Sequence, residues 1–193
     1  MSLNKLLILS LLIIIPSKSL PSLKDLVTSL LIYEEGLNRD DICIPYINPL
    51  NYAVIGYGHI CDSAKVATQI NAKKICSTLS QNCNKKLVNQ WLSKQIDNSI
   101  SCVKGNNNIK DVYNDSSTYR KAIIIAIAFQ DMKCEFGYYR TFSNYLANKD
   151  WTNAATKMFD FYWARQNMER VKRYSYVIEN DKCGSFCIDY GWN

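Results

Sequence analysis

The chain has 193 residues, 48% of them hydrophobic, and a formal net charge of +6 at pH 7. That much apolar material over that length excludes a disordered polymer and supports one domain with a buried core; basic residues scattered rather than gathered with aromatics into a stripe exclude nucleic acid as the expected partner. Eight cysteines stand against a single histidine, His59, and with no Cys-x2-Cys motif the sequence argues against a metal site and implies no organic cofactor.

Met1 to Ser19 reads as an export signal. Lys5 gives the positive start, Leu6 to Ile15 the apolar stretch and Ser17-Lys18-Ser19 the small residues before a cut. The mature chain then begins near Leu20, with 21 basic against 17 acidic residues once Lys5 and Lys18 are gone. It is expected to be secreted, or held in the lumen of the secretory or lysosomal pathway, as a monomer. No stable membrane span is expected after signal removal, because the apolar run is short and broken by Pro16. All eight cysteines lie beyond the signal, which predicts disulfides. Short loops suggest Cys76 with Cys83 and Cys183 with Cys187, and Cys43 with Cys61 would brace the glycine-bearing segment.

Ser22-Leu23-Lys24-Asp25 has the form of a capping box, and Leu23, Leu26, Val27, Leu30 and Leu31 recur at helical spacing until Gly36. This helix delivers Glu34 and Glu35 to its end, and periodicity does not choose between them. A carboxyl there sits among the unpaired carbonyls of the last turn, whose partial negative charge disfavours ionisation and suits a proton donor. From Ile42 to Ile60, Pro45, Asn48-Pro49 and Asn51 punctuate short apolar pieces ahead of Gly56-Tyr57-Gly58-His59, which predicts a small antiparallel sheet. The polar stretch to Asn84 has no clear period. Lys86 to Val103 returns to helical spacing through Leu87, Trp91, Leu92, Ile96 and Ile100 and forms a linking helix, closed by Gly105-Asn106-Asn107-Asn108. Tyr119 to Gln130, apolar on every face, is the central buried helix. Asp150 caps a helix bearing Trp151, Ala154, Ala155, Met158 and Phe159, and a basic helix over about Asn167 to Ile178 follows. The class is α+β, mainly helical, with an N-terminal lobe plus linking helix over 20–103 and a helical C-terminal lobe over 104–193.

Taken in order, Glu35-Gly36-Leu37, Gly56-Tyr57-Gly58-His59, Arg120-Lys121-Ala122 to Gln130, Trp151 to Ala155, and Trp163-Ala164-Arg165-Gln166 with Arg170-Val171-Lys172-Arg173 resemble the bacteriophage-type lysozymes. That family cleaves the β-1,4 linkage between N-acetylmuramic acid and N-acetylglucosamine in peptidoglycan. The resemblance implies the lysozyme-like fold, peptidoglycan strands as partner and Glu35 as the catalytic acid. It also implies Gln130, Trp163 and Gln166 along the cleft, and Arg170 as a charge partner of Glu35. His59 is expected to give structural support to a buried carboxylate or carbonyl. Trp163 can either stack on a sugar or pack inward. Anchored on the glycine stretch, the resemblance brings Asn48 to the place of the family's second catalytic Asp and Val54 to that of a Thr holding the attacking water. Neither can act as a base, so Asp40 or Asp41 is the compensating candidate.

An inverting glycosidase needs an acid and a second carboxylate. One Glu assisted by the muramyl group's own hydroxyl or amide can still break the bond, as in lytic transglycosylases. A catalytically impaired lysozyme-like protein that binds cell-wall glycan is the alternative from a different class. A signal-anchored endolysin fits eight cysteines poorly.

Overall fold

The computed structural model describes residues 21–36, 42–48, 50–130 and 139–192; the stretch expected to be an export signal, Asp40, Asp41 and Cys134 lie outside them. Helix α1, Leu23–Gly36, starts as the sequence predicts. The Ser22 amide donates to Asp25 Oδ2 at 3.1 Å and the Asp25 amide to Ser22 Oγ at 3.2 Å, two otherwise unpaired donors satisfied reciprocally. Leu26, Val27, Leu30 and Leu31 form its buried stripe.

Three antiparallel strands follow in the order β1, Tyr46–Ile47, β2, Tyr52–Ile55, and β3, His59–Lys65. Tyr46 pairs with Val54 and Ile55 with His59, and a bulge separates Tyr52 from Val54. The β2–β3 turn requires its glycines: Gly56 has φ +63° and Gly58 φ +84°. A Cβ on Gly56 would also stand 2.7 Å from Val88 Cγ1, whereas one on Gly58 would meet open space. Gly56→Ala is therefore expected to cost about 2–3 kcal/mol and Gly58→Ala about 1–2, the difference being the overlap with Val88. Urea denaturation of the two variants checks the order; equal losses would mean that the turn does not press on Val88.

The stretch without clear period holds two short helices, α2, Gln69–Ile75, and α3, Ser77–Gln81. Thr68 caps α2, its side chain accepting from the Asn71 amide. These helices correct two of the expected disulfides. Cys76, in the break between α2 and α3, is fully buried with Ala53, Val66 and Ala72 and bonds to Cys61 of β3. Cys83, beyond α3, bonds to Cys43 ahead of β1. A Cys76–Cys83 link is thus replaced because α3 turns the two cysteines to different neighbours. The Cys183–Cys187 pair is present as expected, its Cα atoms 5.6 Å apart.

Helix α4, Lys85–Gly105, is capped by Asn84 Oδ1 accepting from the Leu87 amide at 3.0 Å. It buries Val88, Leu92, Ile96, Ser99 and Val103. Beyond it come α5, Lys110–Asp115, α6, Thr118–Gln130, α7, Arg140–Ala147, α8, Trp151–Lys157, and two 3₁₀ turns over Met158–Asp160 and Tyr162–Arg165. The last elements are α9, Met168–Asn180, and α10, Cys187–Tyr190. Helix α6 is buried from Ala122 through Ala128 and packs against α1, α4 and α9. A helix apolar on every side must be surrounded, and this placement makes it the centre of the core. Asp150 and Asn167 cap α8 and α9. Among the described residues no helix is long and apolar enough to cross a membrane.

Candidate active site

A cleft of about 910 Å³ opens between the sheet with α4 on one side and the C-terminal helices on the other. Glu35 reaches it from the end of α1, Gln130 from the end of α6, and Arg170 from the first turn of α9. These three meet directly. Gln130 Nε2 donates to Glu35 Oε1 at 2.7 Å, and Arg170 Nη1 lies 2.8 Å from the same oxygen. Among the described residues both polar contacts of the Glu35 side chain fall on Oε1, which orients the carboxyl about that atom. The side chain is 18% exposed, so it is sheltered but reachable from the cleft.

Glu34 is the neighbour that periodicity could not separate from Glu35, and its environment is different. Its side chain is 1% exposed. Arg173 donates to it through Nε at 2.9 Å and Nη2 at 2.8 Å, Tyr190 Oη at 2.7 Å, and Arg170 Nε at 3.3 Å. Arg170 Nη2 also donates to the Glu34 carbonyl at 2.7 Å. The guanidinium of Arg170 therefore spans both carboxylates and one orphan carbonyl of the α1 terminus. Burial, and after it the charge of Glu34, pushes the Tyr190 phenol well above its ordinary value, so it remains a donor. Glu34 serves as the anchor of the site. What distinguishes it is its distant partners in α9 and α10, which spacing within α1 cannot reveal.

The remaining candidates divide. Gln166, exposed, and Trp163, only 3% exposed, both border the cleft. The Trp163 ring packs inward on Phe161 and Tyr174, and its buried Nε1 has no acceptor among the described residues. Asn48 borders the cleft, but its Oδ1 accepts from the amides of Leu50 at 3.1 Å and Tyr52 at 2.9 Å and so shapes the β1–β2 turn. Val54 does not join the site. It is fully buried in β2, between Tyr46 of β1 and Ile60 of β3, and is not part of the cleft wall.

His59 borders the cleft without a carboxylate or carbonyl partner among its described contacts. It lies flat on Trp91 of α4, ring centroids 4.4 Å apart with an interplanar angle of 10°. Burial, and then the charge of Lys94, lowers its pKa below the ordinary value of 6.5. A base depressed in the folded state takes up a proton more readily when unfolded. Stability is accordingly complete above about pH 6.5 and declines as pH falls from there through the folded value. His59→Phe, which preserves a flat ring, is expected to flatten the stability profile over that window, as measured by thermal unfolding between pH 7.5 and 5. An unchanged slope would place the titration elsewhere.

Sequence reasoning missed the cleft-facing roles of Trp91, Gln95 and Asn98 on α4 and of Tyr46 and Tyr162 at its rims. Trp91 gave no separate signal, since the spacing counted it with Leu87 and Leu92; in the structure it sits beside the buried Val88, Leu92, Ile96 stripe. Among the described residues no group of three or more His, Cys, Asp or Glu side chains could hold a metal ion. No protein-family model matches the chain, and neither does a curated protein sequence.

Proposed function

We propose that the chain is an exported muramidase that cleaves the β-1,4 linkage between N-acetylmuramic acid and N-acetylglucosamine in peptidoglycan, with Glu35 as the general acid. The observation that carries this reading is the Glu35 carboxyl in the cleft, its Oε1 fixed by Gln130 and Arg170. Glu34 is the other carboxylate bordering the cleft among the described residues, and its oxygens are occupied by Arg173, Tyr190 and Arg170. A cleft of about 910 Å³ has room for more than one sugar ring.

In the proposed reaction Glu35 gives its proton to the glycosidic oxygen, the C1–O bond breaks, and positive charge develops on the muramyl C1 and its ring oxygen. The vacant C1 is then taken by water or by the muramyl C6 hydroxyl. The proton released from that nucleophile returns to the Glu35 carboxylate. Water gives a reducing end; the C6 hydroxyl gives a 1,6-anhydro end. Asn48, whose oxygen is engaged with two backbone amides, supplies no base, which favours the internal route.

That same observation favours a second reading, a glycan-binding protein that has kept the cleft and lost turnover. Incubation of the oxidised, signal-free protein with purified peptidoglycan, followed by mass spectrometry, separates the two. Fragments with reducing or anhydro ends support the enzyme and name its route, whereas glycan that is bound and uncut supports the second reading.

A further inference from the structure

The α4 wall of the cleft carries groups that the proton-transfer chemistry does not use. His59, at the start of β3, and Trp91 form a parallel stack with centroids 4.4 Å apart, and both rings are partly exposed and border the cleft. Gln95 lies one helical turn beyond Trp91, on the same side of α4. Its Oε1 is buried and meets no hydrogen-bond donor among the described residues. A buried amide oxygen without a donor is costly, and native proteins leave few of them. Asn98, exposed at the next turn, continues the polar edge along the same wall.

A flat aromatic pair beside an unanswered acceptor matches the chemistry of a sugar ring. Pyranose rings have a weakly apolar C–H face that packs on an indole plane, and their edges carry O–H and acetamido N–H donors. Because burial and Lys94 lower the His59 value, the imidazole is neutral at pH 7 and brings no charge to the stack. The Gly56 turn, pressed on Val88 three residues before Trp91, fixes how β3 meets α4 and so holds the two rings in register.

We propose that Trp91, braced by His59, and Gln95 form a saccharide subsite on the α4 wall. It takes an N-acetylhexosamine ring with a C–H face against the indole and one hydroxyl or acetamido N–H donating to the Gln95 oxygen, which turns outward from its buried position to accept. The proposal rests on the glycan reading above for its ligand. The subsite determines which stretch of strand is held, and it takes no part in proton transfer.

The test is calorimetric titration of the N-acetylglucosamine tetramer into the disulfide-bonded Glu35→Gln protein, which binds without turnover. Adding Trp91→Ala is expected to weaken binding about tenfold, Trp91→Phe to restore most of it, and Gln95→Met to weaken it about threefold to tenfold. In the Glu35 protein the same changes raise KM for peptidoglycan while kcat stays within about twofold. Gln95→Met alters no ring and carries the test if Trp91→Ala does not fold. Absence of tetramer binding to the parent, or equal affinity of the folded Trp91 and Gln95 variants, overturns the subsite. Binding that depends on Trp91 without any Glu35-dependent cleavage upholds the subsite and overturns the enzyme reading; cleavage that depends on Glu35 with binding indifferent to Trp91 does the reverse.

Discussion

On the proposed muramidase reading, Glu35→Gln is expected to reduce glycan cleavage by about 10²- to 10⁴-fold while leaving the fold and the cleft as they are. Glutamine has nearly the shape of glutamate, and its amide oxygen can occupy the Oε1 position, where it accepts from both Gln130 Nε2 and Arg170 Nη1. The transferable proton is what is lost. With glutamine at position 35, Arg170 stays paired with Glu34 through Nε and through the Glu34 carbonyl, so no cation is stranded by the change. Fragment release from purified peptidoglycan should therefore collapse, with thermal unfolding and glycan binding close to the parent values. A variant that cleaves at near the parent rate would show that Glu35 is not the acid. A variant that loses cleavage and unfolds early would show instead that Glu35 is needed to hold the α1 terminus.

The contrast between the adjacent glutamates shows where sequence reading stops. Helix α1, its capping box and its stop at Gly36 were legible, because caps and apolar spacing are local properties. Helices α4 and α6 were legible from local pattern too, α4 from its apolar spacing and α6 from its unbroken apolar run. The division of labour between Glu34 and Glu35 was not, since it is decided by residues at 170, 173 and 190 that fold against the end of α1. Two disulfides were misassigned because α2 and α3 are short and polar, with Ala72 the sole buried residue across both, so no apolar period announced them. Gln130, Trp163, Gln166 and Arg170 entered through a resemblance. Their place around one cleft follows from how α6 and α9 pack on α1, which spacing alone does not specify. Trp91 read as part of an apolar helix face, and only the arrival of His59 from β3 makes its ring a wall of the cleft.

The largest effect on stability is expected from Glu34→Ala. A surface ion pair is worth little because water solvates its members equally well when they are parted. Glu34 is a different case: its side chain is 1% exposed, and those of Arg170 and Arg173 are 9% and 18% exposed. Losing the carboxylate leaves Arg173 and the Tyr190 hydroxyl without their shared acceptor in a region that water does not replace freely. Removing one member of such a buried pair costs about 3–5 kcal/mol, which for a chain of this size lowers Tm by roughly 10 °C. The loss should be repaired in part by Arg173→Met in the same protein, since the stranded cation, more than the missing bond, carries the penalty. Arg170 remains beside Glu35 in both variants. Cleavage should accordingly fall less than in Glu35→Gln, and its recovery should follow that of stability. Differential scanning calorimetry of the two single variants and the double variant supplies the coupling energy. A cost below about 1 kcal/mol for Glu34→Ala, in the range of exposed pairs, would mean that water reaches this network and that Glu35 is held by Gln130 and Arg170 without it.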